Sequence, residues 1–453
     1  MTNAVRTLDS LKPYPAYKES GIPNVVRIPS HWEARRNHSL FFQRVEREMQ
    51  DLQMLSVTQN RGVVRQEELL GQRKDTSPAD KSLYKRVLPN DIVYNKMRMW
   101  QGAVGLSAYE GIVSPAYIVV APRVGSAYDP SYIAYQFKSR PFVEEFGRWS
   151  HGIADDQNSL RYEDFKALYT IYPPEAEQRA IAAFLDHETA RNDELVREQE
   201  HLLEDLAAKR LSTITAAVTA GIRPRIAQAT NVPWMPYLPR DWRTVRLKHA
   251  LHRIEQGWSP EGEAREATED EWAVLKSGCV NRGVFRPEEH KTLSADLTPR
   301  PDLEVREGNL VMSRASGSLD LIGSVALVGR VRPRLMLSDK LFRLVTKPAE
   351  VRPAFIYYAM NSAYMRMQIR LAVSGAEGLA NNIGKASINN FLLFLPPLDV
   401  QDEIVAQLDQ RLAQIDTLVE EVRANIDDMK LLRSTLITAA TTGKIDVRDW
   451  QPA

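Results

Sequence analysis

The sequence predicts an α+β (mixed α/β) chain in which two globular domains alternate with two long helices, the helices pairing as an antiparallel coiled coil within an internal pseudo-twofold repeat. Three observations predict it. Residues 172–222 align without a gap on residues 395–445, with 20 identities in 51 positions, a density that marks internal duplication and has to be settled before any fold is assigned. The identities include Pro173/Pro396, Pro174/Pro397, Gln178/Gln401, Ile181/Ile404, Asp193/Asp416 and Arg210/Arg433. Each copy also has a matching head, Ile28-Pro29-Ser30-His31-Trp32 in the first and Leu238-Pro239-Arg240-Asp241-Trp242 in the second, with Arg36 and Arg246 in step behind. Both tails carry an apolar seam of helical period.

In chain order, residues 1–24 read as an N-terminal extension and residues 25–171 as the first domain. Within it, Asp91-Ile92-Val93-Tyr94 and Tyr117-Ile118-Val119-Val120 are β-rich runs bounded by glycine-containing turns, and Tyr132 to Phe146 reads as one amphipathic helix. Residues 172–222 form the first long helix, started by Pro173-Pro174 and stopped by Gly221 and Pro224. Its seam runs Leu185, Thr189, Asn192, Val196, Gln199, Leu203, Leu206. Residues 223–239, holding Pro224, Pro233, Pro236 and Pro239, read as a linker. The second domain spans residues 240–394, with Ser324-Val325-Ala326-Leu327-Val328 as a strand and Phe355 to Leu371 as a single helix. Residues 395–445 form the second long helix, whose seam Leu408, Leu412, Ile415, Val419, Val422, Ile426, Met429, Leu432, Leu436 alternates steps of four and three with one stutter. Residues 446–453 are a C-terminal tail. Asn192 and Gln199 stand where the second seam has Ile415 and Val422; polar seam residues weaken packing but fix register.

Bulk composition limits the function classes. A chain of 453 residues has room for two to four domains with cores. The single cysteine, Cys279, cannot form an internal disulfide and is expected to be inert, so a reducing cytoplasm is the natural setting. No run approaches the ~20 apolar residues that a membrane span requires, and the N-terminus lacks an apolar signal core. The net charge of +1 conceals a partition: residues 175–211 hold ten acids and five bases, and residues 399–433 nine acids and four bases. Each helix therefore carries −5, which leaves +11 on the remainder. Basic domains mounted on acidic helices suit a polyanion, because Lys and Arg release condensed counterions from phosphates.

Enzyme motifs are not met. An adenine methyltransferase needs Asn or Asp before Pro-Pro, whereas Tyr172 and Leu395 precede the pairs here. Residues Gly378 to Ala386 imitate a phosphate loop, but Ala386 stands where Ser or Thr would bind magnesium. Asp270, Glu289 and Lys291 could be arranged into a metal-dependent nuclease only by chance spacing.

The order and duplication of several weak motifs is specific. The two Pro-x-x-Trp heads, the run Asn95-Lys96-Met97-Arg98-Met99-Trp100-Gln101-Gly102 with Gly111-Ile112-Val113-Ser114-Pro115-Ala116-Tyr117, and the two Pro-Pro-x-x-x-Gln helix starts together resemble the specificity (S) subunit of type I restriction-modification systems. The resemblance covers the whole chain. It implies two target recognition domains, each reading one half of a split, asymmetric double-stranded DNA sequence, and two helices that set the unread spacer. It further implies a non-catalytic chain that binds no cofactor itself. Two modification (methyltransferase) subunits would use S-adenosylmethionine, and restriction subunits would supply ATP- and Mg-dependent translocation and cleavage. A single-chain DNA methyltransferase or nuclease, or a coiled-coil adaptor without DNA contact, is the alternative; the missing motifs argue against the former and the +11 against the latter.

Base readout needs side chains that present paired donors or acceptors in a groove. In the first domain these are Gln59, Asn60 and Arg61; Lys96, Arg98, Trp100 and Gln101; and Gln157, Asn158, Arg161 and Tyr162. In the second they are Lys276, Asn281, Arg282, Arg314, Ser316, Lys340, Asn381, Asn382 and Lys385. After the shared serine, Ser114/Ser338, Asp339-Lys340 takes the place of Pro115-Ala116, so that loop is expected to read differently. Trp100 reads equally as core or DNA-facing. Trp32 and Trp242 are expected to pack the domain entrances, and Lys81 and Lys85 to position phosphates or lie on plain surface.

Overall fold

The structure, a computed structural model, describes residues 12–59, 61–70, 80–126, 128–152, 158–373 and 381–451. It divides into two compact units, Met1–Glu200 with Ala424–Ala453, and His201–Arg423. The long helices are Glu175–Ala220 and Leu398–Thr441, so each unit holds one globular domain, part of one long helix and part of the other.

The first unit is built on a four-stranded antiparallel sheet of β1 (Phe41–Gln43), β2 (Ile92–Asn95), β3 (Val104–Leu106) and β4 (Tyr117–Pro122), in the order β1-β4-β2-β3. Its strands lack polar alternation because both faces are covered. Ile92, Tyr94, Ile118 and Val120 point into the main core with Phe137, Phe165 and Leu185. Val93 and Val119 point the other way, into a smaller core with Leu55, Val57 and Val63, as the two-residue strand period requires.

The second unit repeats the plan with β5 (Leu251–Gln256), β6 (Leu310–Ser313), β7 (Val325–Leu327) and β8 (Leu341–Thr346), ordered β5-β8-β6-β7. Leu310, Met312, Phe342 and Leu344 join the main core, while Val311, Ala326 and Leu341 join the smaller one. The fold repeat thus persists where the sequence repeat has decayed.

Two sequence expectations change. Residues 223–239 contain a β-hairpin, Ala227–Val232 against Met235–Pro239, the counterpart of Tyr17–Ile22 against Val25–Pro29 in the first unit. The segments expected as single helices are each two: Pro130–Lys138 and Arg140–Arg148, then Pro353–Met360 and Ala363–Ala372. The breaks fall at Ser139 and Ser362, both in extended backbone, each hydroxyl donating back to the carbonyl three residues earlier, Gln136 O at 2.7 Å and Ala359 O at 2.6 Å. Serine competes with the helix through such local bonds, and Pro141 is tolerated only in the first turn of the helix that restarts there.

The residues repeated in sequence are those that clamp these helix pairs to the long helices. Gln178 is fully buried, accepts from Asp129 N at 2.9 Å and donates to Pro173 O at 2.7 Å. Gln401 is likewise fully buried, accepts from Arg352 N at 2.8 Å and donates to Pro396 O at 2.9 Å. Tyr135 donates to Asp186 at 2.7 Å, as Tyr358 does to Asp409.

In both units the long helices run antiparallel. In the first unit, Ile181, Phe184 and Leu185 from the start of one helix share a core with Leu436, Ile437 and Ala440 from the end of the other; Asp193 pairs with Arg433 at 3.0 Å, and Asn192 Nδ2 donates to Met429 O at 3.0 Å. In the second, Ile214, Ala217 and Val218 pack with Val400, Ile404 and Leu408, and Arg210 pairs with Asp416. The Asn192 amide nitrogen is therefore bonded to a carbonyl of the facing helix, the register-fixing use of a polar seam residue, while its buried Oδ1 has no partner among the described residues.

Trp32 and Trp242 are both buried at the domain entrances, but their indoles are served differently. Glu177 accepts from Trp32 Nε1 at 2.8 Å, from Tyr14 OH at 3.1 Å, and faces His31 Nε2 at 2.6 Å. Burial and Glu177 together push the Tyr14 phenol far above its ordinary range. The repeat puts Val400 in place of Glu177, and Trp242 Nε1 has no acceptor among the described residues.

Candidate nucleic-acid interface

At the C-terminal ends of β2 and β6 the two units converge on the same backbone arrangement. Lys96, next after β2, donates its N–H to Ala116 O at 3.1 Å and accepts from Leu160 N at 2.9 Å. Arg314, next after β6, donates to Lys340 O at 2.8 Å and accepts from Ile383 N at 3.1 Å. Each basic residue is the knot tying a central strand, the loop before its neighbouring strand and a late segment of the domain.

In the second unit this knot gathers six of the sequence-predicted residues. Ala315–Ser316 pairs antiparallel with Asn381–Asn382, Lys340 lies on the adjoining loop, and the Arg314 and Lys385 cations lie 5.9 and 5.7 Å from the Phe342 ring centroid. Lys276, Asn281 and Arg282 sit elsewhere, on the turn after strand Ala273–Leu275, where Arg282 has a left-handed φ of 57°.

In the first unit Lys96, Arg161 and Tyr162 line one groove of about 580 Å³ together with Lys85 and His151. Asn158 directly precedes Ser159, another lining residue, which bridges to His151. Lys85 was expected to position a phosphate or lie on plain surface; it is not on plain surface but buried, and its Nζ donates to Tyr117 O at 2.6 Å. Burial, then the nearby Lys96 and Arg47 charges, lowers its pKa from the ordinary lysine value. Desolvated cations without a carboxylate partner suit an incoming phosphate.

Gln59, Arg61 and Arg98 line a second, smaller groove of about 370 Å³, and Gln59 Nε2 donates to Gln101 Oε1 at 3.0 Å. The hairpin tip carrying Gln59 and Arg61 reaches β3 because Gly62 and Gly105 meet without side chains; a Cβ on Gly105 would lie 2.6 Å from Gly62 Cα. Arg61 is also paired with Glu68 at 2.6 Å. Trp100 is half-buried, its indole N–H bonded to Met97 O at 3.0 Å, so it braces the loop that carries Arg98. Asn60 and Gln157 lie outside the described residues.

Sequence reasoning passed over His151, and it named Lys85 and Asp339 without placing them in these sites. Only the strand register Tyr117↔Asn95 and Leu341↔Ser313 brings these loops together, so no local signal marked them. Among the described residues no group of three or more His, Cys, Asp and Glu side chains could hold a metal ion, and no helix is long and apolar enough to cross a membrane. Burial and the Glu289 charge push the Cys279 thiol up to about 12, which makes it a poor nucleophile.

No family model matches the chain. It is 27% identical over 204 residues to the specificity subunit of the type I restriction enzyme EcoEI of Escherichia coli, covering 45% of this chain and 34% of that protein. It is 22% identical over 376 residues to the EcoKI specificity subunit of Escherichia coli K12, covering 80% and 76%. The chain thus spans about a third of the first relative's length and three quarters of the second's. Among solved structures, a chain described under the structural basis of complex assembly and conformational transition of the type I R-M system matches with a TM-score of 0.67 at 16% identity, covering 92% of this chain and 99% of that one; this likeness speaks to the fold.

Proposed function

We propose that this chain, similar to the specificity subunits of type I restriction-modification systems, is such a subunit and reads a bipartite, asymmetric DNA sequence, one half with each unit. The observation that carries this reading is the Lys96/Arg314 correspondence: one backbone knot, built twice, presents different side chains. Equal scaffolds with unequal readers recognise two unlike half-sites. The chain is the non-catalytic member of its enzyme. On this reading S-adenosylmethionine, ATP and Mg belong to partner subunits, and the chain works in the cytoplasm.

The duplicated clamp residues support a scaffold role as well. Two similar surfaces on one chain can dock two copies of one modification subunit, with restriction subunits joining that assembly. On this reading the length of the two long helices sets the length of the unread spacer.

The test is a domain exchange. Replacing residues 25–171 with the corresponding domain of another specificity subunit, then sequencing the methylated DNA of cells expressing the whole system, is expected to alter one half of the methylated motif only. Alteration of both halves, or methylation without a motif, overturns the reading.

A further inference from the structure

The described residues include one carboxylate at the second reading knot that has neither a hydrogen-bond donor nor a cation assigned to it. Asp339 is half-buried, and its Oδ1 is fully shielded from solvent without a partner among the described residues. Beside it the hydroxyl of Ser338, a residue 6% exposed, is also unpartnered. Arg314 is adjacent, yet its Nη1 donates to the backbone carbonyl of Asp339 at 3.3 Å, as Gln256 Nε2 does, also at 3.3 Å. The main chain of Asp339 is thus held twice while its side chain is left over.

The loop that carries it is built to hold position. Gly257 lies against it so closely that a Cβ would come within 2.2 Å of Leu337 O and 2.4 Å of Ser338 O, and Trp258 N donates to Leu337 O at 3.1 Å. A shielded acceptor without a donor costs roughly 1–3 kcal/mol; with the main chain held and the side chain bonded to nothing among the described residues, rotation about χ1 can turn the carboxylate outward to a donor that arrives with the ligand. A phosphate cannot be that ligand, because two anions repel. An ionised carboxylate only accepts, and the donors a duplex offers to it in the major groove are the exocyclic amines of cytosine and adenine.

We propose that Asp339 is a specificity-determining residue of the second unit, accepting a hydrogen bond from the exocyclic amine of one cytosine or adenine in the half-site that this unit reads. The proposal rests on the DNA-reading function above. It also accounts for a difference between the halves: Pro115 occupies the corresponding position in the first unit and has no side-chain acceptor, so that half-site lacks this contact.

The experiment has two arms. In the first, cells expressing the complete system with Asp339→Ala or Asp339→Leu, which lack the acceptor, have their methylated DNA sequenced. Discrimination is expected to fall about ten-fold or more at one position of one half-site, with the other half unchanged. In the second, which needs no variant, the wild-type assembly binds duplexes carrying pyrimidin-2-one for cytosine or purine for adenine, one position at a time. Removal of one amine in that half-site is expected to weaken binding about ten-fold or more. Variants that methylate the parental motif with parental discrimination, or a half-site insensitive to every amine removal, overturn the proposal. Absence of any two-part motif with the wild-type chain would instead overturn the DNA-reading function, so the two failures are distinct.

Discussion

Lys96 and Arg314 occupy the same place in the two units, each donating its main-chain N–H to the loop before the next central strand and accepting from a segment more than sixty residues further along the chain. Their backbones are interchangeable and their side chains are not. Lys96→Ala and Arg314→Ala are each expected to weaken DNA binding by the assembled enzyme about ten-fold. Competition with duplexes altered in one half-site at a time should place the two losses in different halves; losses shared equally by both halves would count against separate readers.

Trp32 and Trp242 bury similar rings, but among the described residues only the former has a carboxylate to bond, Glu177 at 2.8 Å. Removing a hydrogen bond to a charged acceptor costs about 1.5–3 kcal/mol. Trp32→Phe is therefore expected to destabilise the protein more than Trp242→Phe by roughly that difference, read from paired urea unfolding curves.

Gln401 is expected to be intolerant of truncation. Its amide serves Arg352 N and Pro396 O inside a fully buried site, and Gln401→Ala leaves both without that partner, at a cost of roughly 2–4 kcal/mol. Thermal melting checks this, and Gln178→Ala should behave alike.

Lys138 supplies a pH dependence. Its Nζ lies near Gly62, where burial, then the Arg433 charge, brings its pKa down from 10.5 to about 8. The folded-state pKa lies below the unfolded one, so the unfolded chain binds more protons between about pH 8 and 10.5 and stability rises with pH across that window. Lys138→Met is expected to stabilise the protein at pH 7 by about 1–2 kcal/mol, allowing for partial exposure. The gain should disappear by about pH 10.5, as melts at a series of pH values would reveal.

Spacer length should follow the coil only if both helices grow together. Thr215 Oγ1 accepts from Ala363 N at 2.9 Å, so an insertion near Thr215 disturbs a docking contact rather than the coil alone. One extra heptad in each helix, after Ala208 and after Leu418, keeps the seam in phase and adds about 10 Å. The methylated motif is expected to gain about three unread base pairs, at ~3.4 Å each; an unchanged spacer would exclude the helices as its measure.

The long helices were legible because their signals are local and periodic: seam spacing, proline starts and glycine stops lie within one stretch of chain. The paired helices Pro130–Lys138 and Arg140–Arg148 were not separated by the same reasoning. Their apolar spacing carries on across Ser139, and the break depends on a hydroxyl bonding back to Gln136 O. Likewise Lys85 gives no sign in its neighbours that it will be buried beneath Tyr117 O.

What the chain's letters settle unaided is that it is one plan executed twice, with an acidic excess on both long helices and a basic remainder; duplication, period and charge are properties of order along a line. Three-dimensional packing settles which of those side chains meet. Strand register joins Arg314, Lys340 and Asn382, leaves Lys276 on another turn and strands the Asp339 carboxylate without a partner among the described residues. Such meetings follow from contacts between segments far apart in the chain, which neither composition nor spacing encodes.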